Sequence, residues 1–279
     1  MPELPEVETV RKGLLQLIKG KKVSSIDVFW NRIIEAPSVD EFRHALVNQQ
    51  LEDVHRRGKF LIFKWSDYDM ISHLRMEGKY EFFPKETKEI IGKHTHVVFH
   101  FSDGSTLHYN DVRKFGRIAL VGKNQANIYK GIQQLGPEPT PDAFKLEPFR
   151  QKLSKSNKSI KPLLLDQKIV TGLGNIYVDE ALWQAKIHPD TSAKLLDEAE
   201  TENLYHAIIE VLARAVAAGG TTIRSYANAL GEAGKFQISL HAYGQTELPC
   251  EHCGRAIVKT KVAQRGTHFC PNCQIRKEE

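Results

Sequence analysis

The chain has 279 residues, 41% of them hydrophobic and 26% charged, with a formal net charge of +5. That is long enough for two domains with real cores, and the composition is that of a globular protein rather than a disordered or fibrous one. No apolar run approaches the ~20 residues needed to cross a bilayer, and the first twenty residues lack the apolar stretch of a signal peptide, so a cytoplasmic location is expected. The mild positive balance suits a polyanionic partner without requiring one.

The N-terminus carries unusual chemistry. Pro2 is small enough for Met1 to be removed, which would leave a secondary amine followed at once by Glu3. A free α-amino group titrates near ~8, well below lysine, so part of it is an uncharged nucleophile at neutral pH. A secondary amine condensing with an aldehyde gives a cationic iminium, which draws electrons and acidifies the neighbouring carbon. If Met1 stays, its peptide bond removes that amine. Pro5 suits the first turn of a helix, and Glu6 and Glu8 suit its positive end. Val7, Val10, Leu14, Leu17 and Ile18 recur at three- and four-residue steps and mark a buried face. A plain N-terminal helix accounts for these ten residues too, and the rest of the chain has to decide.

Between residues 23 and 121 the pattern is one of short apolar or alternating runs, at 23–29, 51–65, 70–75, 96–101 and 117–121. Turn residues such as Ser102, Asp103, Gly104 and Ser105 break them. This predicts an all-β domain, sandwich or barrel, with the first helix against it and one short helix at 40–48. Pro137, Pro139 and Pro141 make residues 136–142 a stiff linker. Helical patterns follow at 143–154, 160–166, 176–185 and 198–218, ended by Gly219 and Gly220. Residues 225–237 read as a mobile loop, and a small strand-rich module begins at Leu240.

All four cysteines lie in that last module. Cys250 and Cys253, then Cys270 and Cys273, form two Cys-x-x-Cys pairs sixteen residues apart. Two such knuckles supply the tetrahedral sulfur set of a zinc ion, and with all four positions filled the metal is expected to be structural. Between them residues 259–268 make a basic hairpin with Arg265 at its tip, suited to a phosphate or a groove, or simply solvated. Gly172, Leu173, Gly174 and Asn175 join two helices by a turn whose N–H groups could seat a phosphate, although a plain helix connection reads equally well. In the β domain, Arg56, Arg57 and Lys59 surround Gly58, with Lys59 expected on the opposite face from Phe60. Met76 falls at a turn, and residues 110–117 interleave cations with Phe115. A Met or Phe beside arginines at loop tips can wedge into a base stack.

Together these stretches resemble bacterial formamidopyrimidine-DNA glycosylase. The likeness runs through Pro2-Glu3-Leu4-Pro5-Glu6-Val7-Glu8, Arg57-Gly58-Lys59-Phe60-Leu61, Asp111-Val112-Arg113-Lys114-Phe115-Gly116, Gly172-Leu173-Gly174-Asn175-Ile176-Tyr177, Gly219-Gly220-Thr221-Thr222, and the cysteine pairs with Gln264-Arg265. Leu4 and the loop after Gly219 favour this family over its sister, endonuclease VIII. The resemblance implies an α+β multidomain chain. It would comprise an N-terminal β-sandwich with an N-terminal helix (2–135), a linker (136–142), a helical helix-two-turn-helix domain with a base-closing loop (143–237), and a C-terminal zinc-finger hairpin (238–279).

By the same resemblance the chain is a monomeric DNA glycosylase and abasic-site lyase acting on oxidised purines, 8-oxoguanine and formamidopyrimidines, in double-stranded DNA. Pro2 would be the nucleophile at C1′, Glu3 would handle protons at the deoxyribose, Lys59 would serve proton transfer and phosphate binding, and Arg265 would act in the second elimination. Met76, Arg113 and Phe115 would fill the space of the extruded nucleotide. His94, Asn175 and Lys161 would contact phosphates, and one Zn2+ would be held by Cys250, Cys253, Cys270 and Cys273. Gln245, where arginine is common in the family, and Ser156-Asn157, in a stretch often richer in lysine, depart from its pattern. A zinc protein that binds DNA without catalysis would lose Pro2, Glu3 or Lys59, and all three are present. A tautomerase with an N-terminal proline would leave the cysteine module unexplained.

Overall fold

The computed structural model describes residues 1–87, 91–221 and 239–278. Residues 225–237, expected to be a loop, lie outside the described residues. The chain divides into two compact units, one built on Met1–Gln133 together with Thr221, the other on Gln134–Gly220 together with the C-terminal module.

In the first unit, helix α1 (Leu4–Ile18) starts from Glu3 as N-cap, with Pro5 in its first turn. The Glu3 N–H donates to Glu6 Oε2 at 2.8 Å, satisfying a backbone donor that the helix itself leaves open. Val7, Val10, Leu14 and Ile18 are buried, as their spacing predicts, and each contributes about 1.5–3 kcal/mol of apolar burial. The strands are β1 (Val23–Val28), β2 (Ile34–Ala36), β3 (Leu51–Arg57), β4 (Phe60–Trp65), β5 (Tyr68–His73), β6 (Lys79–Phe83), β7 (Thr95–Phe101), β8 (Thr106–Asn110) and β9 (Arg117–Gly122), with α2 (Val39–Leu46) between β2 and β3 and α3 (Lys130–Gln133) at the end. They form a β1-β7-β8-β6 sheet and a β2-β9-β5-β4-β3 sheet, and both contribute to one apolar core with α1, through residues such as Phe63, Trp65, Phe99 and Tyr109.

The run read as continuous from 51 to 65 is two strands. Arg57 pairs with Phe60, leaving Gly58 and Lys59 as a two-residue hairpin turn. Gly58 has φ +56 there, the positive angle that glycine adopts without a Cβ clash. Lys59 therefore belongs to a turn and not to a strand face.

The second unit holds α4 (Leu146–Ser154), α5 (Ile160–Leu165), α6 (Asn175–Gln184) and α7 (Glu198–Ala217), then the hairpin β10 (Val258–Val262) and β11 (Arg265–Phe269). The proline-rich stretch is stitched into this unit rather than left as a free spacer. Gly136 N–H donates to Gln167 O at 2.8 Å, and Thr171 N–H donates to Pro137 O at 3.0 Å. The cysteine module packs on α6 through Trp183, Ala242, Cys250, Ile257 and Cys270. No helix among the described residues is long and apolar enough to cross a membrane.

Candidate active site and zinc hairpin

Pro2 and Glu3 are buried at the positive end of α1. Glu6, buried in the first turn, links this terminus to a distant segment. Its Oε2 accepts the Glu3 N–H, while Oε1 accepts both the N–H and the hydroxyl of Thr221, at 2.8 and 3.1 Å. The turn carrying Lys59 is tied to the same helix. Glu8 binds Arg11 and the Arg56 Nε, and Arg56 donates onward to Gly58 O at 2.9 Å. Lys59 is itself buried, only 5% exposed. Close to it His73 accepts the Arg75 N–H on Nδ1 at 3.0 Å, which leaves the ring neutral with its proton on Nε2. Burial, then the cations Arg75 and Lys59, push the His73 pKa down to about 3. A strand-end histidine that can only be neutral beside a buried lysine has no signature in sequence.

The loop tips are organised by two buried residues. Asp111 Oδ1 accepts the Arg113 N–H, its Oδ2 accepts the Gly116 N–H, and its carbonyl meets His96 Nε2 at 2.7 Å. The half-buried His94 joins this group, its carbonyl accepting the Asp111 N–H. Tyr109, fully buried, sets the spacing of both tips, because a Cβ on Gly116 or on Gly78 would overlap its hydroxyl. The structure thus gathers the Met76 turn and the Arg113–Phe115 loop around one side chain. Arg113 lies 4.7 Å over the exposed Phe115 ring, and Met76 is exposed as well. Asp111 stood inside a recognisable motif, whereas nothing local in sequence marks Tyr109.

In the second unit, Lys161 departs from expectation. It is completely buried, and its ammonium donates to Asp179 Oδ1 at 2.7 Å, Gly266 O at 2.9 Å and Thr267 Oγ1 at 2.9 Å. Three N–H groups meet three protein acceptors, so none is left for a DNA phosphate. Asp179 also accepts the His268 N–H, and Asn175 Nδ2 donates to Gly266 O, both at 2.9 Å. These contacts hold the carbonyl next to Arg265. Arg265 itself is exposed and follows a two-residue turn in which Ala263 and Gln264 both have positive φ. In the glycine-spaced turn, Gly172 N–H already donates to Gln167 Oε1 at 2.9 Å, so it offers fewer donors than its spacing suggests. Asn175, half-buried at the start of α6, still has one amide N–H beyond its Gly266 bond.

The four cysteine sulfurs lie within 4.8 Å of one another, with Cys253 and Cys270 Sγ 3.5 Å apart. Tetrahedral thiolates at ~2.3 Å from zinc would be about 3.8 Å from each other, so the cluster fits that ion. Four thiols this close resist ionising together. Burial and then its cysteine neighbours push Cys273 up to about 12, a cost that a bound dication would offset.

Arg113 over the exposed Phe115 ring on the first unit, and the exposed Arg265 on the cysteine-module hairpin of the second, suit a polyanion with stackable groups. The class is a zinc-stabilised DNA-binding protein. Comparison with known proteins narrows this to one family. The formamidopyrimidine-DNA glycosylase N-terminal domain matches residues 1–118, its H2TH domain residues 135–227, and the zinc finger found in FPG and IleRS residues 247–275. The formamidopyrimidine-DNA glycosylase of Enterococcus faecalis is 68% identical over 277 residues, covering 99% of this chain and 98% of that one. That of Latilactobacillus sakei is 55% identical over 278 residues and covers 99% of both. Wild-type Lactococcus lactis Fpg in complex with DNA containing N7-benzyl-Fapy-dG matches with a TM-score of 0.92 at 46% identity, over 99% of this chain and 100% of that one. The Lactococcus lactis Fpg complex with abasic-site DNA matches with a TM-score of 0.92 at 46% identity, over 98% and 100%. The chain belongs to the formamidopyrimidine-DNA glycosylase family, and its four cysteines form that family's site for one structural zinc.

Proposed function

We infer that this chain is a bifunctional DNA glycosylase and abasic-site lyase of base excision repair that removes oxidised purines from duplex DNA. The observation that carries the chemistry is the burial of Pro2 and Glu3 at the positive end of α1, with a buried lysine in the same unit. With Met1 removed, the Pro2 nitrogen attacks C1′ of the damaged nucleotide, and the base leaves with its glycosidic electron pair. Glu3 serves as the proton donor and acceptor at the deoxyribose as the sugar ring opens to the cationic Schiff base.

That cation acidifies C2′. Loss of a C2′ proton expels the 3′ phosphate in β-elimination, and a second elimination expels the 5′ phosphate, leaving a one-nucleoside gap. Lys59 serves proton transfer and phosphate binding, and Arg265 acts in the second elimination. Met76, Arg113 and Phe115 fill the space of the extruded nucleotide, while His94 and Asn175 contact phosphates. The zinc acts through the hairpin it holds and enters no chemical step. The protein works as a monomer in the cytoplasm, on DNA.

The test is borohydride reduction in the presence of a duplex with one 8-oxoguanine opposite cytosine. A covalent adduct mapping to Pro2 is expected. Absence of an adduct with duplex binding intact would remove the Schiff-base mechanism. Glu3→Gln is expected to lose base release, and normal excision by that variant would remove Glu3 from its role.

A further inference from the structure

Helix α6 grips the cysteine module at both ends. Its first residue, Asn175, donates to the hairpin at Gly266 O, and its penultimate residue, Trp183, donates its indole N–H to Cys250 Sγ at 3.3 Å. Both groups of the second bond are out of solvent, Trp183 at 5% exposure and Cys250 at 1%. The indole also stacks on His252, inside the first cysteine knuckle, with ring centres 4.2 Å apart, and on His241 at 4.6 Å.

We propose that Trp183 is a positioning residue of the zinc site, donating its indole N–H to the zinc-bound Cys250 thiolate and fastening that knuckle to α6. An N–H directed at a metal-bound sulfur draws charge from it. The sulfur becomes less prone to protonation and to electrophiles, and outer partners of this kind typically change metal affinity by about 10–100-fold. A stacked ring that lacked the donor would exclude water without polarising the sulfur. Because α6 also carries Asn175 and Asp179, this bond links retention of the metal to the placement of the hairpin that bears Arg265. The proposal rests on the cysteine site alone and stands apart from the Schiff-base reading.

Trp183→Phe keeps an aromatic ring and removes the donor. In the zinc-loaded protein, zinc release to a chromophoric chelator under iodoacetamide challenge is expected to be about tenfold or more faster in the variant. The cobalt-substituted variant should show a shifted sulfur-to-cobalt charge-transfer band. His252→Ala, which keeps the donor, should release zinc within about twofold of wild type. In the wild-type chain loaded with 113Cd, one indole N–H proton should show scalar coupling to the metal through the sulfur, a measurement that needs no variant to fold. Absence of that coupling overturns the proposal. So does unchanged release and spectrum in Trp183→Phe, or equal release from Trp183→Phe and His252→Ala.

Discussion

Replacing Lys161 by methionine separates its two readings, because a phosphate contact and a buried strut respond oppositely. Methionine reproduces the apolar stem as far as Cε and removes the ammonium. Asp179 would then remain fully buried with the His268 N–H and without its cation, while Gly266 O and Thr267 Oγ1 would each lose a charged donor. Removing one partner of a buried ion pair costs about 3–5 kcal/mol, and no solvent reaches this one to lessen the loss. The loss should fall on the second unit, read as faster hydrogen exchange of the β10–β11 amides. Adding Asp179→Asn removes the orphaned charge while keeping an acceptor for His268, so the double variant should regain more than half of the protection. In parallel, DNA affinity is measured against salt, where each phosphate contact contributes about 0.9 to the logarithmic slope. Unchanged exchange together with a slope reduced by about one would refute the strut and restore Lys161 as a phosphate ligand.

Three further outcomes follow from the same geometry. His73 titrates near 6.5 in the unfolded chain and at about 3 in the folded one, so the unfolded chain takes up the proton first. Its contribution is therefore complete above about pH 6.5 and is lost as pH falls toward 3, by about 1.4 kcal/mol per unit. Exchange of the β5 amides should show this slope and His73→Gln should flatten it, whereas parallel curves would contradict a neutral buried ring. Gly116→Ala forces a methyl into the Tyr109 hydroxyl, which can move only by displacing the loop that carries Arg113 and Phe115. Base release from duplex should fall at least tenfold, about 1.4 kcal/mol, with zinc content unchanged, and full activity would show that the loop tolerates the shift. Stripping zinc should unfold the hairpin and weaken duplex binding, since forming the site and folding the module are one process. Unchanged affinity in protein confirmed to be zinc-free would exclude the hairpin from the DNA contact.

Much of the architecture was legible in the residues alone. The three- and four-residue spacing of Val7, Val10, Leu14 and Ile18 marked the buried face of α1, and the helical patterns after residue 143 correspond closely to α4, α5, α6 and α7. In each case the residue pattern repeats within a few turns of chain, so order along the sequence carries it. The turn inside the run from 51 to 65 is marked in sequence only by Arg56, Arg57, Gly58 and Lys59, which read as a cationic cluster ahead of a strand; the Arg57–Phe60 pairing is what makes Gly58 and Lys59 a two-residue hairpin.

The sequence by itself determined the chemistry on offer: a proline and a carboxylate at the N-terminus, two cysteine pairs at metal spacing, and cations set among aromatics in loops. Tertiary structure alone decided which of those groups face solvent and which hold others in place. Lys161 reads as any surface lysine until the carbonyl of Gly266, 105 residues away, accepts one of its N–H groups. Tyr109 reads as an ordinary strand residue until two glycines close on its hydroxyl. The physical reason is that a charge or a hydroxyl takes its role from the partners that replace water on burial, and here those partners come from distant parts of the chain.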